Sequence, residues 1–237
     1  MKFSEEQVRS WMDAVKHTPD MMECLMGLQY LKHHAPAEKW NIQREDVVAH
    51  WVEGILQHPH MIECFWPSQI NSKAWITEKL EFQTYLDLPH SAVIFGCWYG
   101  VLADMLRIRD TICVDKEAKY LEWCAKNYPV WQGCISEFNY EYDPDVVINT
   151  ITEHISQEVY DKWFEKIPEG TYYIIQGNND YNHKDHVRAC EDLNMFASIN
   201  KMDHNFNYLD EITYEGPWDM ENDKPTYYKR FMGIGKK

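Results

Sequence analysis

Gly96-Cys97-Trp98-Tyr99-Gly100 follows the apolar run Ala92-Val93-Ile94-Phe95 and opens into Val101-Leu102-Ala103. A strand, a glycine turn and a helix start in that order present backbone N–H groups to an anionic group. Alone, such a loop is a weak sign. It gains weight from Asp115, which closes the next apolar run 19 positions after Gly96. An acid at that spacing sits beside the first strand's loop and can accept both hydroxyls of a ribose. The bland alternative is a tight turn followed by a strand-terminal helix cap.

A second group of polar residues closes a later apolar run: Asn149-Thr150-Ile151-Thr152-Glu153-His154. In a doubly wound sheet ligands bind outside the carboxyl edge of the strands, so these are candidates for the substrate side. Glu153 or His154 could take a proton from a hydroxyl or an amine. Thr150-x-x-Glu153 is equally a capping-box pattern for the following helix, and both readings stay open here. Gln176-Gly177-Asn178-Asn179-Asp180-Tyr181-Asn182-His183 is a further polar loop on the same expected edge. His183, Asp185 and His186 could hold a metal, but their spacing lacks a ligand signature and none is expected.

The chain around these residues falls into two regions. From about residue 91, β-branched runs at 92–95, 111–114, 146–148 and 172–175 alternate with helix-like stretches near 99–108, 117–127, 156–166 and 185–197. That alternation implies right-handed crossovers and a Rossmann-like, doubly wound, mostly parallel α/β sheet. Residues 211–214 and 227–234 flank a turn-rich stretch with no helix between them, which predicts a C-terminal antiparallel hairpin at the sheet edge. Residues 1–88 read as an N-terminal helical extension, and 89–237 as the α/β domain.

The helical extension carries a gapless duplication. At an offset of 40, Glu5 aligns with Glu45, Val8 with Val48, Trp11 with Trp51, Pro19 with Pro59, Met21 with Met61, Glu23 with Glu63, Cys24 with Cys64 and Gln29 with Gln69. The spacing predicts two helix pairs, over roughly 4–30 and 44–70, with Trp11 and Trp51 in equivalent buried positions. The second copy runs on to polar Gln69, Ser72 and Lys73 at helical spacing, a face that could cover a ligand pocket or could be solvated helix surface.

Composition narrows the function classes. A formal charge of −15 repels phosphate on average, which disfavours nucleic acid as a partner. Apolar residues form 45% of the chain, enough for a sizeable core. The seven cysteines form no C-x-x-C pair, which suits a reducing compartment. No apolar run approaches the roughly 18 residues that span a bilayer, and the polar MKFSEEQVRSW start is unlike a signal peptide. A cytoplasmic location is expected, the host cytoplasm if the source is viral.

The three strand ends, GCWYG with its helix, Val114-Asp115 and Asn149-Thr150, resemble motifs I, II and IV of class I S-adenosylmethionine (SAM) dependent methyltransferases, over roughly residues 90–237. Trp98 replaces the middle glycine of the family's loop. The W-Y-G form of the loop, the Trp66 to Lys73 segment and Tyr228-Lys229-Arg230-Phe231-Met232 are similar to methyltransferase-like proteins of tailed phages. The resemblance implies SAM as cofactor, Gly96, Trp98 and Gly100 along its methionine side, Asp115 on the ribose, and Ser136 or Glu137 near the adenine. The family's acid two residues before the first glycine is absent, with Ile94 in its place, and Gln69 or Lys73 would be substitutes for the amino-group contact. Asn149, Glu153 and His154 are the expected catalytic set. The family's amino-methylating enzymes for nucleic acid usually follow their Asn or Asp with Pro-Pro and an aromatic; this chain keeps only the Asn. The expected acceptor is a small molecule or a protein side chain. The alternatives are a catalytically inactive SAM-fold interaction protein and, less favoured for want of G-x-G-x-x-G, an NAD(P)-dependent oxidoreductase.

Overall fold

A computed structural model describes Arg9 and residues 44–83, 89–202, 206–219 and 224–237. The chain divides into two units, Met1–Glu78 with Asp104–Arg107, and Lys79–Ala103 with Ile108–Lys237. In the first unit, helix α1 (Arg44–Gln57), a 3-10 helix (Pro59–Phe65) and helix α2 (Pro67–Gln83) follow one another, α2 running past the unit's end. Each proline starts its segment, where a missing N–H costs no hydrogen bond. Trp51 is buried and meets Phe65 with ring centroids 5.3 Å apart. Apart from Arg9, the first copy of the duplication lies outside the described residues, and so does the expected equivalence of Trp11 and Trp51. Among the described residues no helix is long and apolar enough to cross a membrane.

The second unit is a seven-stranded sheet in the order β3-β2-β1-β4-β5-β7-β6. Its strands are β1 (Ser91–Phe95), β2 (Asp110–Asp115), β3 (Val130–Gln132), β4 (Val146–Asn149), β5 (Tyr172–Asn178), β6 (Phe206–Asp219) and β7 (Lys224–Lys236). β1 to β5 pair in parallel, while β7 runs antiparallel to β5 and to β6, as the turn-rich C-terminal stretch predicts. Ala92 to Phe95 and Val146 to Asn149 are buried throughout, because a central parallel strand is covered on both faces.

Helices α3 (Val101–Leu106), α4 (Ala118–Cys124) and α5 (Gln157–Glu165) fill the crossovers, and α6 (Leu193–Ile199) precedes the hairpin. Ser156 caps α5 by accepting from the Val159 amide, and Tyr160, Trp163 and Phe164 at the 0, 3, 4 spacing bury its inner face. Trp163 meets Phe95 edge-on at 5.4 Å, which fixes that helix over the end of β1.

Two expectations need correction. The stretch expected to be helical near 185–197 becomes helix only at Leu193. The amides of Val187 and Arg188 donate to the Glu153 carbonyl and that of Cys190 to the Asn178 carbonyl, so they are not available to a helical ladder. Asp192 then caps α6 by accepting from the Met195 amide at 2.8 Å. The polar segment expected to begin a loop at Gln176 instead continues β5, with Gln176, Gly177 and Asn178 paired to Met232, Phe231 and Arg230. Backbone pairing with β7 outweighs the low strand propensity of Gly and Asn.

Candidate active site

Register brings the strand-end candidates to one edge. Phe95 of β1 pairs with Val114 of β2 on one side and Asn149 of β4 on the other, and Asn149 pairs with Ile175 of β5. One step further along each strand lie Gly96, Asp115, Thr150 and Gln176. They form a single row across the carboxyl edge, where an open α/β sheet binds its ligands.

The loop after β1 turns tightly. Gly96 and Gly100 have φ of 68° and 77°, and Trp98 has φ 52°. Trp98 therefore keeps the left-handed backbone that a glycine would adopt, a cost of roughly 1–2 kcal/mol for a residue with a Cβ. Its surroundings fix it there. The Trp98 amide donates to Asp115 Oδ2 at 3.1 Å, and its carbonyl accepts from the thiols of Cys124 at 3.2 Å and Cys97 at 3.6 Å. The indole meets Tyr99 and Tyr120, each with centroids 6.1 Å away.

Cys97, Cys113 and Cys124 are all buried, with their sulfurs within 4.8 Å of one another. Burial pushes Cys97 well up, and hydrogen bonding with Cys113 leads the rise at Cys124, so both remain thiols able to donate. The trio comes from the loop, β2 and α4, and two of its thiols, Cys97 and Cys124, hold the Trp98 carbonyl.

Asp115 is 9% exposed and links the two loops: Oδ2 takes the Trp98 amide and Oδ1 takes the Glu117 amide at 3.1 Å. A carboxylate oxygen can accept more than one hydrogen bond, so each retains capacity for a ribose hydroxyl. Burial pushes this carboxyl above its ordinary value, against the lowering effect of the Glu117, Trp98 and Lys116 amides. Ser136 and Glu137 lie in a 3-10 turn just after β3, beside β2, with Ser136 Oγ 3.2 Å from Cys134 Sγ and Glu137 exposed. In the first unit, Lys73 Nζ donates to the Gln69 carbonyl at 3.2 Å, one helical turn away.

On the β4 side, Asn149 is fully buried; its Oδ1 accepts from the Ile151 amide at 3.0 Å and its Nδ2 has no hydrogen-bond partner among the described residues. Thr152 to His154 form a 3-10 turn. The capping-box reading of Thr150 and Glu153 does not hold: Ser156 caps the following helix, and Glu153 Oε1 instead accepts from Asn178 Nδ2 at 2.6 Å. His154 Nδ1 lies 3.3 Å from the Asp185 carbonyl, and its ring is 4.6 Å from that of His186 and 5.9 Å from that of His183. Desolvation among these neighbours lowers the His154 pKa from its ordinary value, opposed by the Glu153 charge and assisted by His186.

Two buried residues at this edge carry no signal in the sequence. Asn178, read as one of several loop polars, orients Glu153 from the end of β5. Arg188 is 8% exposed and ties the segment after β4 to the segment after α6, donating to the Thr152 carbonyl at 2.9 Å, Gln157 Oε1 at 2.8 Å and Asn200 Oδ1 at 2.6 Å. Its guanidinium also lies 4.1 Å from the Tyr160 ring centre. Arg188→Met keeps the length and leaves these acceptors unpaired, so it should lower stability by about 3 kcal/mol. Equilibrium urea unfolding measures this; an unchanged midpoint would show that the network contributes nothing net.

The sheet order with its antiparallel hairpin is that of the class I methyltransferase fold. No family model and no curated protein matches the chain. Among solved structures it is similar to TehB from Haemophilus influenzae, with a TM-score of 0.54 at 16% identity over 74% of this chain and 66% of that one. It is also similar to the N-methyltransferase NodS from Bradyrhizobium japonicum WM9, solved with S-adenosyl-L-homocysteine (SAH), at TM-score 0.54 and 10% identity over 72% of this chain and 88% of NodS. A candidate RNA methyltransferase from Pyrococcus horikoshii matches at TM-score 0.51 and 17% identity, over 71% of this chain and 84% of that one.

Proposed function

We propose that the chain binds SAM along the carboxyl edge of β1 and β2 and transfers its methyl group to a small-molecule or protein acceptor at the ends of β4 and β5. The observation that carries this reading is Asp115. It stands level with the glycine loop, its Oδ2 held by the Trp98 amide and its Oδ1 by the Glu117 amide, with lone-pair capacity left for ribose hydroxyls. The residues at this edge suit SAM: Gly96, Trp98 and Gly100 on the methionine side, Asp115 on the ribose, and Ser136 or Glu137 toward the adenine.

SAM supplies a methyl already activated on a sulfonium, so the chain's work is to hold donor and acceptor in line and keep water out. His154 and Glu153 would act only where the acceptor must lose a proton. With Nδ1 of a neutral His154 donating to the Asp185 carbonyl, Nε2 carries the lone pair and can accept that proton. The buried Nδ2 of Asn149, without a hydrogen-bond partner among the described residues, suits an oxygen of the methyl acceptor or of SAM. The net charge of −15 favours a non-nucleic-acid acceptor. The likeness to tailed-phage proteins belongs to this proposal and rests on the W-Y-G loop, the Trp66 to Lys73 segment and the 228–232 residues. Trp98 favours a second reading, a catalytically inactive SAM-fold interaction protein.

Transfer of labelled methyl from SAM to pools of small molecules and proteins tests the activity. Asn149→Ala and His154→Ala should each lower turnover tenfold or more while SAM affinity stays within a few-fold. Equal loss of SAM binding would move these residues to the donor site, and no transfer with intact SAM binding would favour the inactive reading.

A further inference from the structure

We propose that Glu153, His154 and His186 form a binding site for one divalent first-row transition-metal ion. Each offers a ligand atom, and the three atoms lie within 4.8 Å of one another. Two imidazoles and a carboxylate are the donor set that such ions favour over magnesium or calcium, which prefer oxygen alone.

Three further features point the same way. Glu153 is 2% exposed, and its Oε2 is buried with no hydrogen-bond partner among the described residues. A buried carboxylate oxygen without a partner is costly, and a cation satisfies it. Its other oxygen is held by Asn178 Nδ2 at 2.6 Å, so the carboxylate is oriented. Both histidines are also held by a backbone carbonyl: His154 Nδ1 faces the Asp185 carbonyl at 3.3 Å and His186 Nδ1 faces the Asp180 carbonyl at 2.7 Å. A ring nitrogen against a carbonyl must carry the proton, which leaves Nε2 of each neutral ring as a lone-pair donor. That carbonyl-to-histidine support is the arrangement metal-ligating histidines usually have. His183 differs. Its Nδ1 accepts from the Asp185 amide at 3.3 Å, so its Nε2 carries the proton and is not a ligand.

The elements explain the convergence. The amides of Val187 and Arg188 donate to the Glu153 carbonyl, folding the segment after β5 back onto the end of β4 and bringing His186 beside residues far from it in sequence. The metal site stands on its own geometry; that the ion would touch the methyl acceptor rests on the function proposed above. A loaded ion would take the His154 lone pair; an acceptor oxygen bound to the metal would then be acidified and would lose its proton to solvent water, in place of the proton acceptance assigned to that ring.

Cobalt(II) is the probe, titrated into the metal-free full chain without SAM and followed by its visible d–d absorption. The expected result is one equivalent bound at micromolar affinity or better, without the near-ultraviolet thiolate band that binding at the Cys97, Cys113 and Cys124 cluster would give. His154→Ala, at an exposed position, and His186→Ala should each weaken binding tenfold or more. Glu153→Gln should do the same; if it fails to fold, the two histidine variants decide. No binding at 1 mM cobalt, a thiolate band, or unchanged affinity in both histidine variants would overturn the site. The reading as a SAM binder is untouched by any of these outcomes, because a parallel titration with SAH reports on it separately.

Discussion

Replacing Gly96 by alanine should cost about 3 kcal/mol of stability, the sum of a left-handed backbone penalty and overpacking. Gly96 has φ 68°, and a Cβ built on it would lie 2.2 Å from Ile151 Cγ2 and 3.0 Å from Cγ1. Ile151 is β-branched and packs against the main core, so it cannot swing aside as the tip of a long side chain could. The two contributions separate in a double-mutant cycle. Ile151→Ala placed in the Gly96→Ala background should return the overpacking part and leave the backbone part, roughly 1–2 kcal/mol. Urea unfolding of the four proteins measures this. Strict additivity would mean that Gly96 and Ile151 do not press on one another and that the loop has moved away from β4.

Asp115→Ala should weaken SAM or SAH by on the order of 30-fold or more, corresponding to about 2–4 kcal/mol for a lost pair of charge-assisted hydrogen bonds. Part of that loss is indirect, since the carboxylate also holds the Trp98 and Glu117 amides. Asp115→Asn keeps one acceptor oxygen and should fall between alanine and wild type. The raised carboxyl pKa adds a pH signature. In the ligand-free protein a raised pKa means the folded state keeps its proton longer than the unfolded one, so this group favours folding at low pH and loses that contribution as pH rises through its folded pKa. Ribose hydroxyls need the ionised form, so affinity for SAH should decline as pH falls through the same value, and Asp115→Ala should flatten the profile. Calorimetric titration across pH reads both effects. A wild-type profile as flat as the mutant's would remove Asp115 from the ribose.

Much of this site was legible because its signals are local. Ala92 to Phe95, buried throughout, and Thr111 to Val114, buried except at half-buried Ile112, are strands whose β-branched, apolar runs announce them, and the spacing from Gly96 to Asp115 follows from one crossover between adjacent strands. What escaped depends on contacts between distant segments. Gln176 to Asn178 look like a loop by composition, but the β7 ladder claims them. The histidines at 183 and 186 have no ligand spacing in sequence; His186 reaches Glu153 only because two amides of its segment bind the Glu153 carbonyl. Cys97, Cys113 and Cys124 come from three elements, so no spacing could group them. The Thr150 and Glu153 pattern fits a capping box as a string, yet Ser156 is better placed to cap the helix that forms.

The most direct test of the central claim is a calorimetric comparison of SAH and NAD as ligands of the wild-type chain at neutral pH. The loop and Asp115 predict a saturable isotherm with one SAH per chain and no measurable heat of binding from NAD at the same concentrations. Absence of SAH binding at millimolar concentration, or NAD binding as tightly as SAH, would contradict the assignment of the β1 and β2 edge to SAM.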